Sequence, residues 1–181
     1  MKVWENNSNG QLHVTIPKNS GIKKDDWVKI EKKKINRVVY SFIVGDLFHY
    51  GHLRILEKAS QIGDLHICGV LTNRAVESYK RKPIQDFKER ANLIAHINIV
   101  DKVISQDSRD PTDNLKKIHQ DFPMAKLILI HGDDWKDSPF PGEPFITSIG
   151  GELVKVPYYK KLSTTKMINE IKRRVEKKQG L

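Results

Sequence analysis

Apolar and polar positions change rhythm once along this chain. In Leu12-His13-Val14-Thr15-Ile16 every second residue is apolar, the period of a half-buried strand, and Pro17 closes it. Asn19-Ser20-Gly21 reads as a turn, and Trp27-Val28-Lys29-Ile30 as a second short strand. From Asn36 onward the rhythm alternates between strand and helix. Strands are predicted over Arg37–Val44, Leu65–Leu71, Asp101–Ser105, Ala125–Ile130 and Glu152–Val156. Helices are predicted over His52–Ile62, Asp86–Ile97, Thr112–Asp121 and Ser163–Lys178. Leu53, Ile55, Leu56, Ala59 and Ile62 have helical spacing, and Asp86 with Glu89 forms a capping box. In the last, basic helix, Met167, Ile168, Ile171 and Val175 are expected inward. Such alternation over about 145 residues predicts an α/β fold, a parallel sheet with helices on both faces. A small β-hairpin domain, 1–34, is expected before the main domain, 36–181. Some 34 residues are too few to bury a core alone, so this unit needs the rest of the chain or a second copy.

Charge separates the two parts further. The 181 residues carry 32 Lys and Arg against 22 Asp and Glu, a net +10. Residues 1–34 account for +4 and 160–181 for +6, while the middle is neutral. Basic ends suit a nucleic-acid binder, and equally an enzyme of phosphorylated substrates. No run approaches the roughly 20 apolar residues of a spanning helix, and Met1-Lys2-Val3-Trp4-Glu5-Asn6 lacks a signal peptide's apolar stretch. A membrane partner is not expected. The single cysteine, Cys68, excludes an internal disulfide and a cysteine-rich zinc site, and suits a reducing cytoplasm.

Chemistry concentrates after the first long strand. Neither G-x-x-x-x-G-K-[ST] nor G-x-G-x-x-G occurs there. Instead the strand runs into Val44-Gly45-Asp46-Leu47-Phe48-His49-Tyr50-Gly51-His52, two histidines flanking a glycine at a strand-to-helix turn. Ligands of open parallel sheets bind at this edge, and helix N–H groups there attract anions. Gly51 permits close backbone approach, and two imidazoles can donate to phosphoryl oxygens as charge builds. The plainer reading is that one histidine caps the helix and the other faces solvent. The spacing is awkward for a shared metal ion, and no metal-ligating residues are assigned. Ser163, Thr164 and Thr165 open a helix, as phosphate donors or as an ordinary cap. Lys80, Arg81 and Lys82 precede Pro83 in a loop, as phosphate contacts or as solvated surface. Trp135 is core packing or a ligand wall.

These segments together resemble the cytidylyltransferase-like nucleotidyltransferases. Asp46–Arg54 resembles their H-x-G-H signature, His131-Gly132-Asp133-Asp134-Trp135 their G-D-D-W segment, and Leu162-Ser163-Thr164-Thr165 the motif opening their last helix. The phosphonate cytidylyltransferase branch is the most similar, through Thr72-Asn73-Arg74-Ala75, Tyr79-Lys80-Arg81-Lys82-Pro83 and Gly150–Tyr158. Tyr158 and Lys161 stand where the common pattern has arginine and glycine. Asn9–Lys18 and Gly21–Val28 resemble an AbrB-like swapped hairpin, which interleaves two chains.

The resemblance implies a Rossmann-like sheet and transfer of CMP from CTP to a small phosphonate, such as 2-aminoethylphosphonate, or a phosphate monoester. Pyrophosphate leaves, and Mg²⁺ bridges phosphates. It implies catalytic roles for His49, His52 and Lys80. Nucleotide contacts would come from Val44, Gly45, Asp46, Gly51, Gly132, Asp133, Asp134, Trp135, Ser163, Thr164 and Thr165. Acceptor contacts would come from Arg74, Arg81, Lys82 and Asp101. A homodimer through the N-terminal arm follows, with nucleic acid not expected as a partner. An adenylyltransferase of the same fold, similar to archaeal FAD synthetase, and a DNA-binding regulator acting through the arm remain alternatives.

Overall fold

The structure is a computed structural model that describes residues 3–6, 8–16, 20–27, 34–135 and 138–179. The chain divides into two compact units, Met1–Lys34 and Ile35–Leu181. In the first, β1 (Val3–Glu5) pairs antiparallel with β2 (Leu12–Val14). The Asn6 N–H donates to Gln11 O, the Gly10 N–H donates to Asn6 O, and the Asn6 side chain accepts from Ser8. The hairpin therefore closes on residues upstream of the expected partner. The strand expected at Trp27–Ile30 lies outside the described residues from 28 on. Strand β2 ends at Val14, two residues short of Ile16, and Leu12 is 70% exposed rather than inward.

The second unit carries a five-stranded sheet of β3 (Arg37–Ile43), β4 (Leu65–Leu71), β5 (Lys102–Gln106), β6 (Lys126–Gly132) and β7 (Glu152–Val156). Its order is β5-β4-β3-β6-β7, every pair parallel. The chain winds outward from β3 in one direction, then returns to β3's other side and winds outward again. A crevice opens at the carboxyl ends of β3 and β6, where the direction reverses. Six successive residues of β3, Val38 to Ile43, are buried, as a strand covered on both faces requires.

Alternate residues of β3 feed different layers. Val38, Tyr40 and Phe42 pack with Leu115 and Ile118 of α4 (Thr112–Asp121) and Ile146 of α5 (Glu143–Ser148). Ile43 packs with Leu56 of α1 (Tyr50–Ile62) and Ile94 of α3 (Phe87–Ala95), and Val39 with Ala59 of α1. The two remaining helices are α2 (Asn73–Glu77) and α6 (Thr164–Gln179). Helices α2 and α5, five and six residues long, were not expected: fewer than two turns carry no readable period. In α6 Met167 and Ile168 are half-buried, but Ile171 and Val175 are exposed, contrary to expectation. Thr165, Ile168, Asn169 and Lys172 line the cavity described below, and Ile171 and Val175 fall to one side of that stripe.

Polar groups inside the sheet are paired. The buried Tyr40 hydroxyl donates to Gln106 Oε1 and accepts from Asn114 Nδ2. This crossing exists because β4 carries glycine at position 69, where a Cβ would lie 1.9 Å from Tyr40 Oη. We expect Gly69→Ala to force Tyr40 out of this bond and lower unfolding free energy by about 1–3 kcal/mol or more. Urea denaturation measures it. A wild-type midpoint would show that the sheet absorbs the methyl group without cost.

Candidate active site

At the carboxyl edge of β3 and β6 lies a cavity of about 540 Å³. Its floor is the turn from β3 into α1, where the two histidines cap the helix reciprocally. The Gly51 N–H donates to His49 Nδ1 at 3.0 Å, and the His49 N–H is directed at His52 Nδ1 at 3.4 Å. A backbone N–H only donates, so each Nδ1 is an acceptor and each proton resides on Nε2. The cap thus fixes both tautomers and leaves two Nε2–H donors. The rings stack at 4.0 Å between centroids, 23° from parallel. A Cβ at residue 51 would meet the His49 ring at 2.8 Å, so glycine is what allows the fold-back. Capping and chemistry are one arrangement here rather than competing readings.

Burial keeps these imidazoles neutral. His52 is pushed down to about 3 by desolvation, then by His49 and Lys80, with Asp46 opposing. Desolvation also lowers His49. His131, on β6, is pushed down to about 4, chiefly by burial. It packs against Phe42 at 4.6 Å and Trp135 at 4.9 Å.

A buried ionic network holds the loops above the sheet. Asp46 accepts from the Arg81 guanidinium at 3.0 Å and from the Ile84 and Gln85 N–H groups, also at 3.0 Å. Arg90, fully buried on α3, donates to the carbonyls of Val44, Leu71 and Gln85 and to Asn73 Oδ1. It thereby joins the ends of β3 and β4 to the 80s loop. Leu47 adopts a left-handed φ of 48° in this turn, its N–H bound to Gln85 Oε1. The Thr164 hydroxyl donates to Asp46 O at 2.8 Å, seating the start of α6 on the same loop.

Thirteen of the expected residues line the cavity: Val44, Asp46, His49, Gly51, His52 and Lys80, then Arg81, Gly132, Asp134, Trp135, Ser163, Thr164 and Thr165. Some of these are engaged in holding the scaffold. Ser163 Oγ accepts the Lys166 N–H as a helix cap. Gly45 is buried just behind Val44, with φ 73°. Asp133 does not line the cavity: its carboxylate accepts the Tyr158 N–H at 2.7 Å and joins β6 to the segment after β7. Nor do Arg74, exposed on α2, or Lys82, whose carbonyl accepts from Arg81. Asp101 stands at the opposite, amino edge, where its carboxylate accepts the His66 N–H, so it lies far from any acceptor in this cavity. Arg90 was not expected, because a lone arginine on a helix face gives no sign that it is buried. Tyr159 and the residues Asn169 and Lys172 were also missed.

No cluster of three metal-ligating side chains occurs among the described residues. Of the two carboxylates lining the cavity, Asp46 is bound by Arg81 and two backbone N–H groups, leaving Asp134 as a single oxygen ligand. That donor set fits Mg²⁺ carried mainly by phosphates.

Residues 45–173 match the model of a family described as cytidylyltransferase-like. The chain belongs to the cytidylyltransferase-like family. It is thereby one of the nucleotidyltransferases. It is 28% identical over 153 residues to the bifunctional protein HldE of Syntrophotalea carbinolica, covering 83% of this chain and 30% of that protein. To HldE of Koribacter versatilis it is 31% identical over 141 residues, 77% of this chain and 28% of that one. The chain thus spans less than a third of these relatives. A lipopolysaccharide core biosynthesis protein from Thermoplasma volcanium superposes with a TM-score of 0.59 at 23% identity, over 70% of this chain and 99% of that one, a likeness of fold.

The neutral histidines give stability a pH dependence of definite sign. Unfolded imidazoles take protons near pH 6.5, folded His131 only near 4 and folded His52 near 3. The unfolded state therefore binds more protons below about pH 6.5, and stability falls on acidification. We expect the urea midpoint to be flat above about pH 7 and to drop from pH 6.5 toward 4. A His52→Gln/His131→Gln double variant should show a shallower drop. A midpoint that rises on acidification would contradict neutral burial.

Proposed function

We propose that this protein transfers CMP from CTP to a small phosphonate or phosphate monoester. An anionic oxygen of the acceptor attacks the α-phosphorus in line and forms the new P–O bond. The bond from that phosphorus to the bridging oxygen breaks, and its electron pair leaves with pyrophosphate. The acceptor is already ionised near neutral pH, so catalysis is positioning and charge stabilisation rather than base chemistry. The observation that carries this reading is the reciprocal cap, with two Nε2–H donors fixed on the floor of a cavity shared with Lys80 and the start of α6. Those donors suit the non-bridging oxygens of the reacting phosphate, where they strengthen as charge accumulates. Thr165 and the N-terminal amides of α6 suit the outer phosphates. Lys80, half-desolvated between Asp134 and Arg81, suits the leaving group. Bound Mg²⁺ would neutralise phosphate charge, with Asp134 as its protein ligand.

The choice of cytosine and of a phosphonate rests on the likeness of His131–Trp135, Leu162–Thr165 and Tyr79–Pro83 to the phosphonate branch. A cytoplasmic location suits the single, buried Cys68, whose thiol is pushed up to about 12 by desolvation. His49→Ala and His52→Ala should each lower kcat by about 10²-fold or more in a pyrophosphate-release assay while the fold persists. CTP with Mg²⁺ should raise Tm more than ATP does. Near-normal turnover in both variants overturns the histidine roles; stabilisation by ATP alone transfers the reading to adenylyl transfer.

We further propose that unit 1–34, with its AbrB-like pattern, ties two chains into a homodimer. Trp27 is fully exposed and Leu12 mostly so, a sticky surface for a lone hairpin. Light scattering should find a dimer for the full chain and a smaller assembly once residues 1–34 are removed. A full-length monomer at micromolar concentration would contradict it.

A further inference from the structure

One face of α6 runs along the cavity beyond the helix's first turn. Thr165, Ile168, Asn169 and Lys172 line the cavity, at the spacing of a single helical stripe. The start of that stripe is fixed, because the Thr164 hydroxyl donates to Asp46 O at 2.8 Å. Lys172 stands farther along the axis than Thr165 by about 10 Å, at about 1.5 Å of rise per residue. Helical side chains lean toward the N-terminus of their own helix. The four-carbon stem of Lys172 therefore carries its ammonium back toward the first turn, where the free amides and Thr165 already face the cavity.

Charge sets Lys172 apart from the other cations of the cavity. Among the described residues, the lysines and arginines that line it are Lys80, Arg81 and Lys172, and the carboxylates are Asp46 and Asp134. Arg81 is bound to Asp46 at 3.0 Å, and Lys80 has Asp134 as its anionic neighbour. Lys172 forms no ion pair among the described residues. The acidic residue nearest to it in sequence, Glu170, is taken by Arg173 at 2.8 and 2.9 Å and by Arg174 at 2.7 Å. One turn before Lys172, the Asn169 carboxamide makes no hydrogen bond among the described residues and offers two N–H donors. An unpaired ammonium and an unpaired carboxamide thus extend the donor surface of the helix start along the cavity wall. We propose that Lys172, with Asn169, binds the terminal phosphate of the nucleotide and so makes the site prefer a nucleoside triphosphate to a diphosphate. This rests on the nucleotidyl-transfer reading above and deepens it: the histidines take the reacting phosphate, the amides that open α6 take the outer phosphates, and Lys172 closes on the last of them. A diphosphate keeps the inner contacts and loses this charge-assisted one.

The test uses the full-length protein with Mg²⁺ and the cytidine or adenosine series, whichever triphosphate raises its Tm. Dissociation constants for the triphosphate, diphosphate and monophosphate are measured by calorimetry at one ionic strength. The proteins are the wild type, Lys172→Gln, Lys172→Arg and Lys177→Gln. Lys172 is exposed, and glutamine matches lysine in helix propensity, so the fold persists. We expect the wild type to hold the triphosphate about tenfold or more tightly than the diphosphate. Lys172→Gln should weaken the triphosphate about tenfold and leave the diphosphate and monophosphate within about twofold. Lys172→Arg should recover part of the loss. Lys177→Gln removes the same charge from a direction about 140° around the helix, and should leave all three constants within about twofold. A wild type that holds the diphosphate as tightly as the triphosphate overturns the proposal, as does an unchanged triphosphate constant in Lys172→Gln. A Lys172→Gln loss shared equally by all three nucleotides also overturns it, being the mark of a nucleoside contact or a structural role. An equal loss in Lys177→Gln overturns it in favour of the diffuse positive field of the helix. A protein stabilised by neither triphosphate loses the nucleotidyl-transfer reading, and this proposal with it.

Discussion

Everything at the carboxyl edge of the sheet hangs on one buried guanidinium. Arg90 has no exposed surface, and it donates to the carbonyls that end β3 and β4, to Gln85 O and to Asn73. A buried cation is tolerable only when its donors are satisfied, and here the satisfying groups are the loop carbonyls that shape the cavity. Asp46 mirrors it as a buried carboxylate that takes Arg81 and two backbone N–H groups from the same 80s loop. The pair cannot rearrange one loop without stranding a charge in another. Preorganisation of the cavity is thus a by-product of avoiding unpaired buried ions.

The histidine floor follows from this constraint. With Asp46 and Leu47 pinned, the turn leads into α1 at a fixed angle, and the cap falls to His49 and His52. Cap geometry sets tautomer, tautomer sets which nitrogen donates, and burial keeps both rings neutral. Thr164 then locks the start of α6 onto Asp46 O, so that the helix amides and the imidazoles address one space. Short backbone-level constraints thus gather hydrogen-bond donors around one cavity without a cluster of charged ligands, which suits the nucleotidyl transfer of this family.

The sheet was legible because its strands are long, β-branched and regularly spaced by amphipathic helices; only strand ends shifted, by one or two residues. The H-x-G-H turn was legible as a site because topology dictates where ligands of such sheets bind. What escaped had no local signature. The burial of Arg90 depends on partners up to 46 residues away, and the stacking of Arg109 over the Tyr79 and Trp135 rings joins segments that are distant in sequence. Asp133 and Asp134 are neighbours of identical type, yet one holds a backbone and the other lines the cavity, a split decided by chain direction after β6. Asp101 failed as an acceptor residue because it opens β5 rather than closing it, and amino and carboxyl edges lie on opposite sides of the sheet. In the arm, alternation at Leu12–Ile16 signalled a strand but not its partner, since pairing register is a long-range property.

The central claim is that His49, His52 and His131 share one nucleotide-binding cavity while remaining neutral donors. Imidazole resonances of the protein, recorded by heteronuclear NMR as CTP and Mg²⁺ are added near pH 7, test it residue by residue. The account predicts that these three histidines shift and keep neutral tautomer signatures, with the two protons of the reciprocal cap on Nε2, while His66, His96 and His119 stay in place. Saturating nucleotide that leaves all three cavity histidines unmoved, or titration of His52 near pH 6.5, would contradict it.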